Sequence, residues 1–194
     1  MTATALAKAL PTHTFESYLE IESRATLKYE FFQGLVYVSL SRSNDHSGIV
    51  VATLSQLSTK LGNRPCFVRQ SDLKVVTPGD RAAFYPDASV FCNQSLNGKA
   101  VTASSPTLIV EVLSPSTRKF DLNAKRKEYF RIPSLRHYLL IDSESPSVLL
   151  YTRDDSQTWP KDPLNFTDPK SSIPLTALKI SLKLKDLYRQ TGLL

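Results

Sequence analysis

Residues 84–91 read FYPDASVF, and residues 107–130 read TLIVEVLSPSTRKFDLNAKRKEYF. Each stretch holds a short apolar run rich in strand-forming residues. Each run carries one carboxylate where an apolar side chain is expected: Asp87 in the first, Glu111 in the second. Over residues 85–91, period-2 alternation predicts Tyr85, Asp87, Ser89 and Phe91 on one face. Over Leu108–Leu113 it sets Glu111 beside Ile109 and Leu113. A carboxylate on such a face is costly unless a cation or hydrogen-bond donors compensate it. Two of them, on strands separated by one loop, point to a shared divalent metal.

Oxygen ligands suit a hard ion, so Mg²⁺ is the expected occupant, with Mn²⁺ as a substitute. No His or Cys lies nearby in sequence, which disfavours zinc. A helix is expected over residues 121–131, ended by Pro133, with Asp121, Lys125 and Tyr129 four residues apart on one face. Lys125 is then the cation best placed to neutralise charge beside the acids. The plainer reading of Lys125 is an i,i+4 pair with Asp121.

Working outward, Thr14 caps a short helix, Phe15–Ser23, with Phe15, Tyr18 and Leu19 on one face. LKYEFFQGLVYVS predicts a hairpin of residues 27–32 with 35–39, turning at Gln33 and Gly34. Glu30 lies in its first strand, as a third acid of the site or as an exposed edge residue. Ser43, Asn44 or Asp45 caps a helix running to Leu61 and closed by Gly62, with His46 in its first turn. A lone His there is ordinarily a surface or capping residue. Strands are expected at 67–70 and 73–76, at 136–142, and at Val148–Thr152 as a hairpin partner. Residues 93–105 and 159–170 read as loops. The alternation of Leu178, Ile180, Leu182 and Leu184 predicts an amphipathic edge strand with lysines outward.

The chain has 194 residues, 41% hydrophobic and 22% charged, an ordinary soluble globular composition. Residues 1–14 read as a flexible lead-in to one domain, 15–194. The net charge is +6, and residues 118–136 contribute seven basic side chains against two acidic ones. Excess positive charge next to the carboxylate pair suits a polyanion, or is simply a solvated helix face. No run approaches the roughly 18 apolar residues of a membrane span. Cys66 and Cys92 are far apart and suggest neither a zinc set nor a disulfide framework, so a cytoplasmic protein is expected. GxxxxGK[ST], GxGxxG and GxSxG are all missing, which removes the common nucleotide-binding and serine-hydrolase signatures.

Pro86-Asp87, Glu111 and a following Lys are in the order of the PD-(D/E)XK nuclease superfamily. The wider set YEFFQG, His46 opening a helix, SDLKV, YPDASVF, LIVEVLSPST, D-x-x-x-K-x-x-x-Y and HYLLID closely resembles the Uma family of restriction endonucleases within it. The resemblance covers nearly the whole chain. It implies an α/β fold, a central mixed sheet flanked by helices, and a Mg²⁺-dependent endonuclease that hydrolyses DNA phosphodiesters by water attack. RNA is left open as a substrate. Under it, Asp87 and Glu111 bind the metal, and Glu30 and His46 match family positions. Arg118, Lys119 and Lys127 would hold the nucleic-acid backbone. The superfamily's strand Lys would fall at Leu113, so Lys125 on the next helix takes its place, with Asp121 and Tyr129 in support. That departure motivates the alternative of a catalytically silent fold that binds nucleic acid or a protein partner. A third class would be an enzyme acting on another phosphate substrate. The exposed C-terminal strand would suit a homodimer.

Overall fold

The computed structural model describes residues 13–38, 43–94 and 98–194. The lead-in up to residue 12, the hairpin residue Ser39 and part of the 93–105 loop therefore lie outside the described residues.

Helix α1 (Phe15–Ser23) begins where Thr14 Oγ1 accepts the Ser17 N–H at 3.2 Å. It buries Tyr18, whereas Leu19 is 38% exposed and not on the packed face. Strands β1 (Tyr29–Phe32) and β2 (Leu35–Val38) form the expected hairpin. Gln33 and Gly34 both have positive φ, 49° and 86°, which matches the twist of the strands they join. Helix α2 (Asn44–Leu61) is capped by Ser43, whose hydroxyl accepts the His46 N–H at 3.2 Å. It buries Ile49, Leu57 and Leu61.

Residues 85–91, expected as one strand, are strand only from Ala88 onward, and residues 85–87 link two sheets. Strand β5 (Ala82–Phe84) ends before Tyr85, and β6 (Ala88–Cys92) begins after Asp87. Pro86 has no N–H to give a ladder, so the chain leaves one sheet and enters the other there. Ahead of them, between α2 and β5, β3 (Cys66–Gln70) and β4 (Lys74–Val76) follow the expected order. The polar loop contains a strand the sequence reading omitted, β7 (Thr102–Ala103), parallel to β4. Strand β8 (Leu108–Leu113) has the expected bounds and is buried along its whole length.

The helix expected over 121–131 starts earlier and is irregular. It runs as α3 (Arg118–Phe120), a π-helical turn Asp121–Lys125, and α4 (Arg126–Tyr129). Strands β9 (His137–Asp142) and β10 (Val148–Thr152) pair antiparallel, and β11 (Leu164–Phe166) extends them from within the expected 159–170 loop. The C-terminal strand is shorter than the alternation implied. Strand β13 (Ile180–Lys183) pairs with β12 (Ser172–Leu175) and passes into a short helix, α5 (Leu184–Leu187).

There is thus more than the one central sheet expected. A six-stranded mixed sheet runs β11-β10-β9-β8-β6-β3, parallel only at β8–β9. A five-stranded sheet runs β2-β1-β5-β4-β7, and β12–β13 forms a third. One core joins α2, α5 and β12–β13 to a face of the six-stranded sheet through Val110, Val112, Leu139 and Leu182. The other lies between the two larger sheets and the 118–129 helical segment, with Phe84, Ile109, Leu113, Tyr129 and Tyr138 at its centre. Glu111 belongs to this second face, as the alternation required.

Cys66 and Cys92 stand opposite each other in the β3–β6 pair and form a disulfide. This overturns the expectation of unpaired thiols, and with it the argument for a reducing compartment. Sequence separation hid the pairing, because only the register of two strands 26 residues apart brings the cysteines together. Among the described residues no helix is long and apolar enough to cross a membrane.

Candidate functional site

The β6–β8 ladder pairs Ala88 with Val110. Continued one step, that register sets Asp87 opposite Glu111. The ladder does not continue as backbone; the Asp87 carboxylate replaces it and accepts the Val112 N–H at 2.7 Å. Strand pairing and a side-chain acceptor thus hold the two predicted acids side by side.

Lys125 lies at the centre of the cluster. Its ammonium is 3.0 Å from Glu111 Oε1, 3.3 Å from Glu30 Oε1 and 3.6 Å from Asp121 Oδ1, and it stands 5.1 Å above the Phe84 ring. The Tyr129 hydroxyl donates to Glu111 Oε1 at 2.9 Å. The spacing of Asp121, Lys125 and Tyr129 therefore does converge on one place. The π-helical turn makes room for both Asp121 and Lys125 to be buried, and the Tyr138 hydroxyl satisfies the Asp121 carbonyl at 3.1 Å. Glu30 is 5% exposed, so the edge-strand reading does not hold. It reaches the cluster from the five-stranded sheet and accepts the Tyr85 N–H at 2.8 Å.

Two positions were only weakly legible. His46 is 2% exposed, and its Nε2 lies 3.3 Å from Asp87 Oδ2 without closing a well-directed hydrogen bond. The expectation that no His lies near the acids is thus incorrect in space, because the first turn of α2 ends against the Tyr85–Asp87 turn. Tyr85 was assigned only to a strand face. It is in fact held at both ends, its N–H on Glu30 and its hydroxyl on Glu22, which also pairs with the buried Lys74. The lysine that opens the apolar strand KVV is the sequence signal for this arrangement.

Three acids, Glu30, Glu111 and Asp121, thus lie buried around the Lys125 ammonium, and a fourth buried acid, Asp87, is held beside Glu111. Burial pushes the Glu111 carboxyl up to about 8, with Asp121, Asp87 and Glu30 adding and Lys125 opposing. Burial pulls the Lys125 ammonium down, but Glu111, Glu30 and Asp121 outweigh it and hold it charged. The two shifts have one source: neighbouring acids share the Lys125 ammonium, which favours the protonated form of Glu111 and the charged form of Lys125.

The residues suit a hard divalent cation in donor type and in charge. Among the described residues no three or more His, Cys, Asp and Glu are arranged to hold a metal. A Mg²⁺ held by one or two carboxylates, with water and phosphate oxygens completing its shell, does not require such a set.

The basic segment is less open than its charge implied. Arg118 pairs with Asp142, Arg126 stacks on Tyr151 at 5.0 Å, and Arg131 and Arg136 pair with Glu128 and Asp155. Lys119 and Lys127 are exposed. Leu113 is 1% exposed and packs within the aromatic core.

Three comparisons bear on this geometry. "Uncharacterized protein slr1290" of Synechocystis is 32% identical over 174 residues, covering 90% of each chain. A second Synechocystis protein, "Uncharacterized protein sll1609", is 32% identical over 148 residues, covering 75% of this chain and 84% of that one. The crystal structure of "a putative nuclease belonging to DUF820" from Anabaena variabilis superposes with a TM-score of 0.75 at 20% identity. It covers 92% of this chain and 98% of its own, and shares the fold. Residues 15–185 match the family model Uma2, described as "Putative restriction endonuclease", and the chain belongs to that family.

Proposed function

We propose that this chain is a divalent-metal-dependent endonuclease that hydrolyses DNA phosphodiester bonds at the Asp87–Glu111–Lys125 cluster. The observation that carries the reading is the crowding of acids: Glu30, Glu111 and Asp121 are buried around the Lys125 ammonium, with buried Asp87 beside Glu111. Uncompensated, such a cluster is a heavy cost to folding. A site that receives a cation only with its substrate explains why the cost is retained.

Asp87 and Glu111 would hold a Mg²⁺, which would polarise a phosphoryl oxygen and make water a better nucleophile. The Val112 N–H orients Asp87, with His46 packed beside it, and the Tyr129 hydroxyl orients Glu111. Lys125 is held by Glu111, Glu30 and Asp121, and would exchange one of these partners to stabilise negative charge on the phosphate or to position the attacking water. Exposed Lys119 and Lys127 would contact backbone phosphates. Arg118 is already committed to Asp142 and would need to exchange partners to join them.

The test is nicking of supercoiled plasmid with Mg²⁺, wild type against Asp87→Ala, with EDTA as control. Metal-dependent nicking lost in the variant is expected; nicking that survives in the variant or in EDTA would refute the proposal. One observation favours the second reading, a silent binding module: Leu113 packs in the core where the resemblance expects a strand lysine. That module would retain DNA in EDTA and never shorten it.

A further inference from the structure

Helix α1 touches two segments that carry acids of the cluster. The Tyr18 hydroxyl donates to the Tyr29 carbonyl, next to Glu30, at 2.9 Å. One turn on, Glu22 accepts the Tyr85 hydroxyl and pairs with the Lys74 ammonium. Lys74 is 2% exposed and stands 5.0 Å over the Tyr18 ring and 5.8 Å over the Tyr85 ring. Burial, then the Glu22 carboxylate, raises the Tyr85 hydroxyl's pKa above the ordinary phenol value, so it stays a donor.

An ion pair this deep is a weak way to stabilise a fold, because apolar side chains of similar size often do as well. Its location says more. Residues 85–87 belong to neither flanking strand, so no ladder fixes Asp87. Tyr85 is instead held at its hydroxyl by Glu22 and at its N–H by Glu30. Pro86 follows, with φ locked by its ring, and it restricts Tyr85 as well. Few free torsions therefore separate the Glu22–Tyr85 bond from the Asp87 carboxylate, which closes on the Val112 N–H at 2.7 Å.

We propose that Glu22 is a positioning residue, with Lys74 as its buried counter-charge: its bond to the Tyr85 hydroxyl sets the Asp87 carboxylate beside Glu111. The use of that placement for a cation rests on the nuclease reading; the placement itself does not.

The experiment compares wild type with three variants. Tyr85→Phe deletes the hydroxyl. Glu22→Leu with Lys74→Met makes the pair apolar, and Glu22→Gln with Lys74→Met keeps an acceptor for the hydroxyl. Hydrogen exchange by NMR in EDTA reads Asp87 at the Val112 amide and reads the fold at the Leu139 and Ile141 amides of β9. Calorimetry with Mn²⁺ reads the acids as a cation site. Tyr85→Phe and the Leu variant should lose Val112 protection about three- to tenfold relative to β9, and bind Mn²⁺ more weakly by a similar factor. The Gln variant should recover both. Val112 protection that falls only in step with β9, or that the Gln variant fails to recover, would overturn the proposal. If wild type binds no Mn²⁺ while Val112 follows the expected pattern, the cation-site reading fails and the positioning assignment stands.

Discussion

Replacing Glu111 with Gln separates the cluster's cost to the apo fold from its use. Burial pushes the Glu111 carboxyl from 4.5 to about 8, with Asp121, Asp87 and Glu30 adding. The folded state therefore binds this proton more tightly than the unfolded chain does. The stability linked to it is fully present below pH 4.5 and is lost as pH rises through 8. At about 1.4 kcal/mol per unit, the loss is roughly 3 kcal/mol by pH 7 and approaches 5 kcal/mol above pH 8. Gln keeps the shape, still accepts from Tyr129, and does not titrate. Urea unfolding in EDTA at pH 5.5, 7.0 and 8.5, on both proteins, reads the difference, since groups outside the cluster titrate alike in the two. The advantage of Glu111→Gln over wild type should grow by about 3 kcal/mol between the lowest and highest pH. A difference that stays constant with pH would refute the reasoning that burial and the neighbouring acids favour the protonated form of Glu111.

Three further outcomes follow from the same structure. Lys125→Met leaves the acids uncompensated and should destabilise the apo protein by about 3–5 kcal/mol at pH 8, and by less at pH 5.5, in urea titrations. His137 accepts the Ala177 N–H on Nε2 at 3.0 Å, and burial lowers its pKa to about 4, with Arg136 adding. Its stability contribution is thus complete above pH 6.5 and lost as pH falls toward 4, about 3 kcal/mol in all; NMR should find the ring neutral at pH 5.5. Reducing the Cys66–Cys92 bond, which spans 26 residues, should lower stability by roughly 3 kcal/mol, measured by urea unfolding with and without reductant.

The features legible in the sequence were those set by local periodicity. The alternation in Leu108–Leu113 located Glu111 on its face, and four-residue spacing brought Asp121, Lys125 and Tyr129 together. Caps at Thr14 and Ser43 and the turn at Gln33 and Gly34 were visible because each satisfies its own backbone within a few residues. What escaped depends on register between distant strands. The Cys66–Cys92 pair and the approach of α2 to Asp87 arise from long-range packing that no local pattern encodes. The split at Pro86 was legible in principle, since proline cannot serve a central ladder, but continuous alternation through 85–91 masked it. Likewise, charge counting could not tell that Arg118 and Arg126 spend their cations on Asp142 and Tyr151.

The most direct test of the central claim is a calorimetric titration of Mn²⁺ into wild type, Asp87→Ala and Glu111→Gln at pH 8. If the buried acids are a cation site, wild type binds the ion and each variant binds it at least about tenfold more weakly, as loss of one carboxylate ligand requires. Wild type that binds no Mn²⁺, or variants that bind it as well as wild type does, would contradict the account.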